Sequence, residues 1–206
     1  MTDLQIAFII TASLTGLLLL FIIFYRPVKR AILRRHYVWF FARYIYRIAL
    51  DFDYYLINQF AYIHSNREEK TINHILFGSK WIYVIMDGYY PGAISAKEND
   101  VSWIYYSSRK KKAYIDNPLR INADNVNQIS MITDVNKDLL ISIVVINDDC
   151  HVEPFDGTSK TNFLVKKSQL RHLIKALEGR DVDNIDEKAL AKAVTEIHAL
   201  NRNKKK

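Results

Sequence analysis

Apolar residues in this sequence come in blocks of different period. Residues 4–25 are an uncharged run of 22. As a helix rising about 1.5 Å per residue the run covers roughly 33 Å, enough for a bilayer core of about 30 Å. A cleaved signal peptide carries a basic segment before its apolar run and a small-residue cleavage site after it. Here Asp3 precedes the run and Tyr25-Arg26-Pro27 follows, so a transmembrane helix is expected. Residues 28–50 then repeat Leu33, Tyr37, Phe40, Phe41, Tyr44 and Ile48 at intervals of three and four, which predicts a helix. Arg34, Arg35, Arg43 and Arg47 interleave with them, and the helical spacing extends through residues 51–60 by way of Tyr54, Tyr55, Ile57 and Phe60.

The next blocks have strand character. Residues 72–77 and 81–86 are β-branched and aromatic runs separated by Gly78-Ser79-Lys80, a hairpin signal. A polar loop over residues 65–70 precedes them, and a turn at Tyr90-Pro91-Gly92 follows. Residues 103–106 and 113–115 read as a third and a fourth strand, joined by Arg109, Lys110, Lys111 and Lys112. Asn117-Pro118 opens a helix with Val126, Ile129 and Ile132 on one face, weakened by Asn125 and Asn127. Residues 139–146 are nearly unbroken in apolar character, as in a strand buried on both faces. Asn147-Asp148-Asp149 ends that strand as a turn rather than a metal site. Residues 163–165 form a last short strand. Ser168 is expected to cap a helix with Leu170, Leu173, Ile174 and Leu177 on its apolar face and Gly179 as its stop. A final helix over residues 185–200 presents Leu190, Val194, Ile197 and Leu200, either to pack back or to bind a partner. This order of elements predicts an α/β domain with a mixed β-sheet flanked by helices.

Charge changes the picture once it is divided along the chain. The net charge is +7. The first 50 residues hold seven Arg/Lys against Asp3 alone, residues 51–201 hold 18 against 21 acids, and residues 202–206 add four cations. The basic residues therefore lie at the two ends, and the middle lacks the broad basic face of a nucleic-acid binder. Arg26, Lys29, Arg30, Arg34 and Arg35 crowd the C-terminal end of the apolar run. Positive flanks stay in the cytoplasm, so residues 1–3 are expected outside and the rest inside. These five residues are expected against anionic lipid, with Phe40 onward packed on protein. The lone Cys150 fits a reducing compartment and reads as an inert thiol. Arg109, Lys110, Lys111 and Lys112 are candidates to touch phosphate or lipid headgroups; the other reading is a solvated hairpin tip.

The hairpin residues also carry a resemblance. Ile72-Asn73-His74, a strand, Gly78, a second strand, Met86-Asp87-Gly88, the aromatic Tyr89 and Tyr90, and Gly92 follow one another. This arrangement resembles the core of the nuclease-related domain called NERD, a relative of the restriction-endonuclease-like PD-(D/E)xK fold. Asn117-Pro118 is a second point of similarity. The resemblance implies a restriction-endonuclease-like core over roughly residues 50–178. It also implies, in active members, phosphodiester hydrolysis by a divalent ion that acidic ligands hold and that lowers the pKa of a bound water. The family has Asp where this chain has Asn73, Glu at Met86, Lys at Gly88 and Gln at Ile121, with Asn122 and Gln128 close to the last. Asn73 offers a neutral carbonyl oxygen, Met86 a thioether that a hard ion ignores, and Gly88 nothing. Asp87 has a carboxylate but lies one position out of phase, so it is expected to face the other side of the sheet unless a bulge at Gly88 turns it. His74 is expected to face away too, as a packing or hydrogen-bonding residue.

The expected layout is a short outer N-terminus (1–3), a transmembrane helix (4–25), a basic aromatic juxtamembrane helix (26–50), a NERD-like α/β domain (51–179), and a C-terminal helix with a basic tail (180–206). The expected function is a membrane-anchored cytoplasmic binding or scaffold module without catalytic residues, cofactor or metal. Its expected partners are membrane lipid and a protein, with nucleic acid less favoured. The alternatives are a metal-dependent nuclease built on Asp87, Glu69 or Asp116, a non-cleaving nucleic-acid module, and a subunit of a larger membrane complex.

Overall fold

A computed structural model describes residues 2–63, 68–107, 111–153, 155, 157 and 159–202, without the side chains of residues 4, 6, 7 and 26. The chain forms two compact units, Met1–Phe40 and Phe41–Lys206. Helix α1 (Asp3–Phe52) runs through the first and into the second. It comprises two helical segments joined across a kink at His36, whereas the expected boundary between a transmembrane and a juxtamembrane helix falls between residues 25 and 26.

In the first unit α1 exposes its apolar side chains, among them Phe8, Leu14, Leu18, Phe21 and Ile23. It is long and apolar enough to cross a membrane. Pro27 lies inside the helix, and the backbone leaves helical geometry at His36, with φ −123° and ψ 19°.

In the second unit the end of α1 buries Phe41, Ile45, Ile48 and Ala49. The helix stops because Asp53 adopts a left-handed conformation, φ 57°, while Tyr54 N–H bonds back to Ala49 O at 2.8 Å. The helical pattern expected through residues 51–60 is therefore wrong. Tyr55–Ile63 is strand β1, paired antiparallel with β2 (Glu69–Phe77) from Tyr55↔Phe77 onward. Its β-branched and aromatic residues pack on a pleated surface once a partner strand is present.

β2 and β3 (Ile82–Gly88) form the expected hairpin. Its turn is held from outside. Glu178 accepts the Lys80 N–H at 3.1 Å and the Tyr83 hydroxyl at 2.6 Å. A Cβ on Gly78 would run into Glu178 Oε1 and crowd the Tyr83 ring, so a larger residue there would have to displace the Glu178 contact. β7 (Leu140–Ile146) is buried at all seven positions and lies parallel to β3, with β9 (Asn162–Lys166) parallel on its far side. The five-stranded mixed sheet has the order β1-β2-β3-β7-β9.

The single sheet of the sequence reading is in fact two. β4 (Gly92–Ser95), β5 (Ser102–Ser107), β6 (Lys112–Asp116) and the two-residue β8 (His151–Val152) form a second sheet in the order β6-β5-β4-β8. Trp103, Ile94 and Ala96 of this region join Leu119, Val144, Ile146 and Cys150 in one core cluster.

α2 (Pro118–Ile132) starts where Asn117 caps the N–H groups of Leu119 and Arg120 with its side-chain oxygen, and Pro118 supplies a preset first turn. Val126 and Ile129 of α2 meet Ile75, Phe77, Ile82 and Val84 of the hairpin. α3 (Leu170–Glu178) lies against the end of α1, where Arg171 pairs with Asp51 at 2.8 Å. Ser168 does not cap α3: its N–H donates to Asp148 Oδ1 at 2.8 Å within a 3₁₀ turn that leads into the helix. α4 (Glu187–Leu200) packs back, placing Ala193 and Ile197 in the cluster of Phe60, Tyr62 and Ile72. Beyond it Asn201 Oδ1 accepts from Ala61 N–H at 3.1 Å and Arg202 N–H donates to Ala61 O at 3.0 Å. The second unit thus takes in the end of α1 and all of α4 besides the residues 51–179 assigned from sequence. Residues 65–67 of the expected polar loop, Arg109, Lys110 and residues 203–206 of the basic tail lie outside the described residues.

Candidate functional site

The register of β2 against β3 fixes what each residue of the hairpin faces. His74 opposes Ile85 and Ile75 opposes Val84, so Asn73 stands opposite Met86, one step further along. Alternation puts Asn73, Ile75, Val84 and Met86 on the face that α2 covers, and His74, Ile85 and Asp87 on the other. Met86 packs against the apolar cluster of Ile94, Trp103, Leu119 and Val144. At Gly88 the ring of Tyr90 lies where a side chain would project. Asn73 Oδ1 accepts the Asp87 N–H at 3.3 Å. No carboxylate among these positions points to the α2 face.

Asp87 lies on the opposite face, as its phase predicts, and it is closed in. Its Oδ2 is 2.8 Å from His74 Nε2, and both side chains have 0% exposure. Asp87 Oδ1 is buried without a hydrogen-bond partner. His74 Nδ1 donates to Asn58 Oδ1 at 2.6 Å, and Asn58 is exposed on the edge strand β1. With Nδ1–H so engaged, one proton lies between Nε2 and Oδ2. Burial raises the Asp87 carboxyl above its usual range, although the hydrogen bond and charge of His74 oppose this. Next to Asn58, Gln59 holds φ 53° inside the strand, a left-handed conformation uncommon for a non-glycine residue. Nothing in the sequence marks Asn58 or Gln59, because the apolar spacing of residues 51–60 also fits a helix, in which neither would face His74.

Ile121 is not part of this arrangement. It is 39% exposed and lines an outer groove of about 540 Å³ with Asp116, Arg120 and Asp124. The residue that α2 turns toward the sheet is Asn122. Its Nδ2 donates to Val84 O at 2.8 Å and Ser142 Oγ at 2.9 Å, and its Oδ1 accepts from Asn125 Nδ2 at 3.3 Å. Asn125 Oδ1 in turn accepts the Tyr62 hydroxyl at 3.2 Å. The space between α2 and the hairpin is therefore a seam of amides engaged with backbone and with one another. Buried polar groups of this kind fix one packing arrangement.

The alternative acids do not converge. Glu69 begins β2 opposite Ile63, Asp87 is the next-to-last residue of β3, and Asp116 ends β6 in the other sheet. Among the described residues no group of three His, Cys, Asp or Glu side chains is placed to hold a metal ion. Asp148 and Asp149 form the expected turn, accepting from Ser168 N–H and from Asn147 Nδ2. Cys150 is buried, and burial pushes its thiol up to about 11, which leaves little thiolate at neutral pH. Of the cations singled out in the sequence, Lys29, Arg30, Arg34 and Arg35 are exposed on α1 and Lys111 and Lys112 are exposed at the start of β6. Lys29 Nζ stands 5.7 Å from the Tyr25 ring centroid; the Arg26 side chain lies outside the described residues.

In comparisons with known proteins, no family model matches the sequence, no curated protein matches it, and no solved structure matches it.

Proposed function

We propose that the chain is a single-pass membrane protein whose second unit is a degenerate NERD-like module that binds or scaffolds at the cytoplasmic face and does not cleave nucleic acid. The observation that carries this reading is the hairpin. The positions that would bear the acids and the lysine hold Asn73, Met86 and Gly88, and Met86 is packed in an apolar cluster. The carboxylate that directly follows Met86, Asp87, is turned to the other face and shut in with His74. A hard divalent ion needs charged oxygen ligands at an accessible position, and a carboxylate without exposure cannot coordinate an ion that retains its waters. The cationic flank after the apolar run supports a cytoplasmic placement of the domain.

The test uses the full chain in lipid nanodiscs. Calorimetric titration with Mg²⁺ and with Mn²⁺, with and without a short DNA duplex, is expected to give no binding heat. A cleavage assay on the same sample is expected to give no product. Micromolar metal binding that disappears in Asp87→Ala would overturn the reading in favour of an active enzyme.

A further inference from the structure

The second sheet carries a face that the proposed scaffold role leaves unused. In the β5–β6 ribbon Ile104 opposes Tyr114 and Tyr106 opposes Lys112, so these four residues share one side. The other side turns Trp103, Tyr105 and Ile115 to the core cluster. Tyr114 is 69% exposed and Tyr106 36% exposed. Lys112 Nζ stands 5.1 Å from the centroid of the Tyr114 ring. Ser107 N–H bonds to Lys111 O at 3.0 Å and closes the ribbon there, with Lys111 exposed. Residues 102–116 hold one acid, Asp116, at the opposite end of β6 from Lys112. The ribbon is thus a local cationic and tyrosine-bearing projection on a stretch of chain that is otherwise slightly acidic.

We infer that this ribbon face docks on anionic phospholipid headgroups, giving the domain a second contact with the membrane; the inference rests on the membrane-anchored reading above. Charge complementarity selects the occupant. Lysine ammonium groups suit lipid phosphate, and exposed tyrosines suit the boundary between headgroup and acyl chain, where one end of the ring is apolar and the other wet. Each Lys or Arg close to an anionic surface raises occupancy about fivefold. A tether makes the contact intramolecular, so a small patch suffices. A nucleic acid in solution offers no such tether and calls for a broader basic face than this one.

The experiment places an environment-sensitive fluorophore on Ser102→Cys in the full chain; Ser102 is exposed on the same side of the ribbon as Ile104 and Tyr106, and Cys150 is buried. Nanodiscs carry a trace of headgroup-spin-labelled lipid in either an anionic or a zwitterionic background. Strong quenching is expected in the anionic discs only, reversed by high salt. It should weaken about fivefold for each of Lys111→Glu and Lys112→Glu, and further with Tyr114→Ser. Equal quenching in both backgrounds overturns the inference. So does quenching relieved by an oligonucleotide that binds at the same residues, which would assign the face to nucleic acid. Alkaline extraction reads the anchor separately. A chain that stays in the discs while its ribbon is unquenched overturns the ribbon contact and leaves the anchor standing; a chain that leaves the discs overturns both.

Discussion

Asp87 shows what one step of phase does in a strand. Moved by one residue it would stand beside Asn73 and Met86; where it is, it shares a dry proton with His74. Because burial raises its pKa, the folded state holds that proton more tightly than the unfolded chain, whose ordinary carboxyl value is 3.8. A raised folded value contributes stability that is complete below the unfolded pKa and is lost as pH rises through the folded one. Asp87→Asn removes this titration while keeping the shape. Wild type should therefore lose stability relative to the variant as pH rises from about 4 through the raised value, with no further change above it. Chemical denaturation of both chains across that range is the measurement, and a flat difference would contradict the assignment. The orientation of Asp87 was legible from alternation alone. Its partner Asn58 was not, because it reaches His74 from a strand that local spacing had assigned to a helix.

At the scale of elements, the sequence was clearest where a pattern had one interpretation. β7 could be read because a run of apolar residues broken only by Ser142 suits a strand covered on both faces. α2 could be read because Asn117 and Pro118 are a cap and a first turn in themselves. β1 could not: Tyr54, Tyr55, Ile57 and Phe60 fit three-and-four spacing, while Tyr55 and Ile57 also fit alternation, and only pairing with β2 decides between the two. β4 and β8 are four and two residues long, too short to carry a period. On α2 the choice between Ile121 and Asn122 was a matter of about 100° around the axis, and neighbouring strands settle it by offering Val84 O and Ser142 Oγ as acceptors. α4 was left open between packing and partner binding, and its buried Ile197 makes it part of the core. Ile197→Ala should cost about 2–5 kcal/mol, whereas Leu200→Ala, at a position 42% exposed, should stay within about 0.5 kcal/mol. Equilibrium unfolding of the full chain distinguishes a core helix, with that contrast, from a docking helix, in which both changes would be nearly neutral.

For the molecule as a whole, charge asymmetry about the apolar run predicts sidedness. Thr2→Cys should react with a membrane-impermeant thiol reagent applied to intact cells, while Cys150 stays silent because it is buried and its thiol is pushed up to about 11. Labelling seen only after the cells are permeabilised would reverse the orientation. The contacts of Asn201 and Arg202 with Ala61 bear on a different stage of the protein's life. β1 is an edge of the five-stranded sheet, and an uncovered edge is a template for another chain. The cover comes from residues 140 positions further along. During synthesis the sheet can therefore assemble well before its border is closed, and for that interval neighbouring nascent chains on one message can pair through it. Any product that stops short of Asn201 keeps that border open permanently.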